Sequence, residues 1–124
     1  MDLSDADAKL IGESDDDGAG ISVSGAGDVD GDGQDDLLIG AFQEDSGGTT
    51  NGAAYLVLGP VSGEMDLSAA NAKLSGRSGD VGWSVSDAGD VDADGGGDLL
   101  VSAHTKYSGG IDTGVAYLVF GAAY

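Results

Sequence analysis

Cysteine is absent from the 124-residue chain, histidine occurs once, and Lys and Arg together occur four times. Without cysteine there is no disulfide framework and no thiolate metal site. With His104 alone, a zinc centre of several histidines is excluded within one chain. No apolar run approaches the roughly 18 residues of a membrane helix. The opening "MDLSDADAKL" has neither the basic n-region nor the apolar h-region of a signal peptide. Met1 is consistent with a start codon placed on a fragment of a longer, exported protein.

Four bases stand against 23 acids, a net charge of −19. Nucleic acid and anionic membranes are poor partners for such a surface, because phosphate binding needs clustered Lys or Arg. Nine of the acids sit in two Asp clusters, and the remaining 14 still outnumber the four bases. The general acidity suits work in high salt, where self-repulsion is screened over a few Å, and points to a halophilic microbe. Aromatics are scarce at 6% and glycines number 24, yet the 40% hydrophobic content argues against disorder.

What the chain does have is a repeat. "MDLSDADAKL" at residue 1 returns as "MDLSAANAKL" at 65, and "GAAYLVLG" at 52 returns as "GVAYLVFG" at 114. "GISVSGAGDVDGDG" at 20 returns as "GWSVSDAGDVDADG" at 82, 62 positions on. The period divides the chain into two units, residues 1–62 and 63–124. Each unit predicts four short strands, in the first "AKLIGE", "GISVSGAG", "DLLIGAF" and "AAYLVLG". In "DLLI" and "YLVL" the apolar residues are consecutive, so both strand faces need cover. Trp83, aligned with Ile21, is expected to fill an inter-sheet space rather than to stack on a ligand.

An all-β chain of four-stranded antiparallel sheets, each covered on both faces, describes two β-propeller blades. Two blades cannot close a ring, and their flanks would be exposed apolar patches. The chain opens on what reads as the outer strand of a preceding blade and stops after "VAYLVFG", where another outer strand is expected. Ring closure by other copies of the chain follows as an expectation, three copies giving six blades and four giving eight.

The densest chemistry lies in "DVDGDGQDD", with five aspartates in nine residues, and in its counterpart "DVDADGGGD". Asp28, Asp30 and Asp32 occupy positions 1, 3 and 5, Gly33 position 6 and Asp36 position 9; Asp90, Asp92, Asp94, Gly95 and Asp98 repeat them. Alternating carboxylates along a tight turn converge on one point, and Gln34 and Gly96 at position 7 would add backbone carbonyls. Hard oxygen ligands, six or seven at about 2.3–2.6 Å, suit Ca²⁺ better than Mg²⁺. One Ca²⁺ per unit is expected. An EF-hand is excluded, because position 12 is Ile39 or Val101 instead of Glu and a strand follows. An acidic, solvated turn is the bland alternative. Asp35, aligned with Gly97, reads as solvated surface.

The unit "ISVSGAGDVDGDGQDDLLIGAF…GAAYLVLG" resembles the FG-GAP repeat, the blade of the integrin α-subunit propeller and of many microbial surface proteins. The resemblance covers both units and implies a β-propeller, a Ca²⁺-binding loop and an extracellular or cell-surface setting. The pattern's FG phenylalanine is Ala19 or Val81 here, and its GAP triplet is "GAF" or "SAH". The family implies a non-catalytic structural or adhesive module with a protein or glycan ligand. An accessory propeller of a secreted hydrolase or lyase is the alternative, as is an isolated or engineered self-assembling fragment. For catalysis only His104, Lys106 and Tyr107 are at hand, and the first unit has none of them, so no enzyme is expected.

Overall fold

The computed structural model describes residues 1–45, 51–76, 79–104, 107–108, 111–112 and 114–121. Eleven strands follow in order: β1 (Ala8–Ile11), β2 (Ala19–Gly27), β3 (Asp36–Ala41), β4 (Ala53–Val57), β5 (Gly63–Asp66), β6 (Ala72–Ser75), β7 (Val81–Gly89), β8 (Asp98–Ala103), β9 (Tyr107–Ser108), β10 (Ile111–Asp112) and β11 (Val115–Val119). No α-helix occurs among the described residues, and so none long and apolar enough to cross a membrane.

Two antiparallel sheets carry the fold. Sheet one has the order β2-β3-β4-β6 and sheet two the order β7-β8-β11. The predicted strands of the first unit appear as β1 to β4, and those of the second as β6, β7, β8 and β11. The units and the sheets are out of step, however. The fourth strand of sheet one is β6, from the second unit, paired with β4 through Ala53–Ser75, Ala54–Leu74, Tyr55–Lys73 and Leu56–Ala72. Sheet two accordingly has three strands among the described residues, and the outer strand expected after "VAYLVFG" is the one it lacks. β1, the counterpart of β6, pairs instead in parallel with β5.

The consecutive apolar residues behave as the strand chemistry requires. β4 is buried along its whole length, and five of the six residues of β3 are buried. One face of sheet one, with Leu38, Ala54 and Leu56, packs with Val81, Val85, Leu99 and Val101 of sheet two. The other face, with Ile39, Tyr55 and Val57, is partly covered by Leu67 and, at its margin, by Leu10 of β1. The "DLS" that opens each unit forms a short 3-10 turn. Asp2 and Asp66 cap these turns by accepting the amides of Ser4 and Ser68, each at 2.8 Å.

The sheets approach most closely at glycine. A Cβ on Gly40 would run into the Gly82 carbonyl, and one on Gly82 into the Ala53 carbonyl. Ser22 Oγ donates across the gap to the Gly82 carbonyl at 2.9 Å. Trp83 does not fill the inter-sheet space as the sequence suggested. It stands 40% exposed at the rim, edge-on to Phe42 at 5.0 Å and against the His104 ring at 4.3 Å.

An ionic cluster lies beside Tyr55. Lys73 Nζ reaches Glu13 at 3.3 Å and Glu44 at 3.1 Å, and sits 5.7 Å from the centre of the Tyr55 ring. Asp17 is buried nearby. Its Oδ2 accepts the Ser14 amide at 3.0 Å, while its Oδ1 has no hydrogen-bond partner among the described residues. Burial raises its carboxyl above the ordinary value, against the pull of the Ser14 amide and with help from Glu44, Asp45 and Glu13. The folded chain therefore binds this proton more tightly than the unfolded one, and stability is lost as pH rises through the folded value. Asp17→Asn should raise the melting temperature at pH 7 by roughly a few degrees. The gain should vanish below the unfolded value, 3.8, where the parent's carboxyl is protonated in both states. Thermal melts of both proteins across pH 3 to 7 check this; an equal difference at every pH contradicts it.

Candidate metal centre

Residues 28–35 link β2 to β3, and residues 90–97 link β7 to β8. Each loop is entered through a β-bulge, at Gly25–Gly27 in one strand and at Asp87–Gly89 in the other. Gly27 and Gly89 take φ of 66° and 73°, which glycine adopts without steric cost. The two loops lie side by side at one end of the sheets, where the Gly97 amide donates to the Asp28 carbonyl at 2.9 Å.

Within the first loop, Asp28 Oδ1 accepts the amides of Gly31 (2.8 Å) and Asp32 (3.0 Å), and Oδ2 accepts that of Gly33 (2.8 Å). Asp30 Oδ1 accepts the Asp32 amide at 3.2 Å, and Asp32 Oδ1 that of Gln34 at 2.9 Å. The second loop repeats the scheme. Asp90 accepts from Asp94 and Gly95, Asp92 from Asp94, and Asp94 from Gly96. This is the aspartate habit of bonding backbone two or more residues ahead, here applied three times in succession. It aims successive carboxylates inward.

The result is convergent. Asp28, Asp30 and Asp32 each offer an oxygen within 4.8 Å of the others, and so do Asp90, Asp92 and Asp94. Two ligands of one Ca²⁺ lie at most about 5 Å apart, so the spacing fits that ion. The donor set is oxygen only, which suits a hard cation. An oxygen that accepts one amide keeps a lone pair for an ion.

Asp28 and its neighbour Asp30 are shifted in opposite directions. The amides of Gly33 above all, then of Gly31 and Asp32, hold the Asp28 carboxyl below its ordinary value despite some desolvation. Asp30 is pushed up by desolvation first, against the Asp32 amide, with the charges of Asp32 and Asp36 adding to the rise. Asp92 is raised likewise, by desolvation and then by Asp94 and Asp98. A cation between the carboxylates would favour the ionised forms of Asp30 and Asp92.

Asp36 and Asp98 have a further task that spacing alone did not disclose. Both are fully buried. Asp36 Oδ2 accepts the Val29 amide at 2.8 Å and Oδ1 the Gly59 amide at 2.9 Å. Asp98 accepts from Val91 at 2.6 Å and Gly121 at 2.9 Å. Each clamps the start of its acidic loop to the chain just beyond the next strand, β4 or β11. Their recurrence at position 9 in both units was the available signal. Gln34 and Gly96 sit in the loops as expected, each donating its amide to the preceding ligand-type Asp. Asp35 is exposed. Ala93 takes φ of 60° where the first loop has Gly31 at 77°, a strain of about 1–2 kcal/mol for a residue with a Cβ.

A paired acidic loop between the first two strands of an antiparallel sheet meets a known pattern here. Residues 19–57 match the FG-GAP repeat. The match runs from the first residue of β2 to the last of β4 and includes the four aspartates of the first loop and Asp36 at the start of β3. Residues 81–119, outside it, reproduce the strands and loop of this FG-GAP repeat at the same spacing. The all-β sheets are those expected of propeller blades. No curated protein matches the chain.

His104 is held at the other end of β8. Its Nδ1 lies 3.7 Å from Asp80 Oδ2, and its ring rests on Trp83. Lys106 and the side chain of Tyr107 lie outside the described residues.

Proposed function

We propose that the chain is a non-catalytic, calcium-braced propeller module of two FG-GAP-type units with a structural or adhesive role. One observation carries this reading: the same three carboxylates converge at the same end of two hairpins. In each loop Asp28, Asp30 and Asp32, or Asp90, Asp92 and Asp94, would hold the ion. Asp36 and Asp98, with the carbonyls of Gln34 and Gly96, would complete its surroundings. Bound Ca²⁺ would neutralise the crowded carboxylates and couple folding to metal.

The contacts of His104 to Trp83 and Asp80 give it a packing role, which supports a non-enzymatic reading. The exposed acids that remain outside the loops fit an extracellular, saline setting, and loop surfaces at the ends of the sheets would meet a protein or glycan ligand.

Chelation at low salt tests the metal. Ca²⁺ at about 100 times its Kd would add about 2.7 kcal/mol per site, so a chelator should lower the melting temperature by several degrees and Ca²⁺ should restore it. Calorimetric titration should count two ions per chain, and Asp32→Ala or Asp94→Ala should each remove one. A melt indifferent to chelator and Ca²⁺ would sink the reading.

A further inference from the structure

One sheet face of this chain, and the margin of a second, stand open although their counterparts are buried. Within the chain, Leu38 and Leu56 of sheet one are 0% and 5% exposed against sheet two. The aligned residues of sheet two, Leu100 and Leu118, are 39% and 44% exposed. On the opposite side the relation inverts. Val85 of sheet two is 8% exposed, and its counterpart Val23 of sheet one is 69% exposed. The open face of sheet two therefore repeats the buried face of sheet one, and the open margin of sheet one at Val23 repeats part of the buried face of sheet two, while Ile39, Tyr55 and Val57 beyond it are covered within the chain. Each open area holds a groove, of about 440 Å³ at Val23 and Leu37 and about 170 Å³ at Leu100 and Ala116. Neither groove is lined by a charged residue, although the chain carries −19. Complementary grooves without charged residues suit a buried contact between copies, with the Lys73 ionic cluster lying to one side on the same face of sheet one.

The strand edges repeat the relation. β11, the counterpart of β4, is paired on one side by β8 and on the other by no strand among the described residues. β1 carries the "AKL" of β6, the strand that closes sheet one on β4. Its Leu10 already rests against the Ile39–Tyr55 face, much as Leu74 of β6 rests against sheet two.

We infer that the chain binds a second copy of itself head to tail, the partner's β1 adding antiparallel to β11 while the partner's sheet one covers the open face of sheet two. The β4–β6 pairing sets the register. Val115 lies opposite the partner's Ile11, Ala116 opposite the partner's Leu10, Tyr117 opposite the partner's Lys9 and Leu118 opposite the partner's Ala8. The Tyr117–Lys9 pair then reproduces the Lys73–Tyr55 contact. The copies meet differently at one point. Ser102 stands where sheet one has Gly40, so its Cβ faces the partner's Gly20 and the inner end closes less tightly than within a chain. The contact is heterologous, so successive copies build a ring if the rotation closes. It does not depend on the calcium reading.

Engineered cysteines test the register, because the native chain has none. Ala8→Cys with Leu118→Cys should give, on oxidation, a ladder of disulfide-linked chains on a denaturing gel. Ala8→Cys with Val119→Cys, one residue out of register, should give at least tenfold less. Sedimentation of the unmodified chain should show several chains per particle, and Leu100→Lys with Leu118→Lys should reduce it to one while preserving the β-sheet circular dichroism. A monomer at all concentrations overturns the inference. So does a disulfide within one chain, or a dimer formed by Leu118→Cys alone, which would mean a symmetric contact.

Discussion

Asp36→Ala is expected to lower the stability of the chain by about 4 kcal/mol, since a hydrogen bond to a charged group contributes about 1.5–3 kcal/mol and two are lost. Both partners are backbone amides, Val29 and Gly59, and the carboxylate that serves them is fully buried. Alanine leaves two donors without an acceptor where water is scarce. Asp36→Asn keeps one acceptor oxygen but sets an NH₂ against the other amide, so about half the loss should remain. Asp35→Ala, next in the chain but exposed, should change little. Denaturant unfolding at one fixed protein concentration measures all three. Chelator separates this role from metal binding: the loss in Asp36→Ala should persist in its presence, whereas the loss in Asp32→Ala should disappear. A cost under about 1 kcal/mol for Asp36→Ala would mean that the amides find other acceptors.

Gly40→Ala should cost about 3 kcal/mol, near the top of the range for overpacking. The added methyl meets the Gly82 carbonyl and Ser22 Oγ, and the carbonyl belongs to a strand that cannot swing aside. The two sheets must then separate and loosen the core around Leu38, Leu56 and Val85. The matched control is Ser102, the same position in sheet two, where a side chain already stands. Ser102→Ala loses only the bond from the exposed Ser84 amide and should stay within about 0.5 kcal/mol. If Gly40→Ala is as mild as Ser102→Ala, the sheets do not meet as described.

Much of this fold was legible in the chain. The central strands were readable because burial on both faces demands consecutive apolar residues, as in "DLLI" and "YLVL". The acidic loops were readable because Asp spacing and turn chemistry are local, and they fall between β2 and β3 and between β7 and β8 as expected. β5 was not legible: "GEMD" has no strand pattern, and it becomes one by pairing with β1, more than 50 residues earlier. The two-residue β9 and β10 are too short to carry any periodicity.

The sequence by itself determined the central strands, the places of the loops and the convergence of Asp28, Asp30 and Asp32, because each depends on neighbours a few positions away. Only the tertiary structure decided that β5 pairs with β1, that Asp36 and Asp98 clamp distant amides, and that Gly40 meets a carbonyl across the gap where Ser102 meets none within the chain. Those outcomes turn on what lies across a gap between sheets, and two corresponding stretches of chain acquire different surroundings once one faces a neighbour and the other faces water.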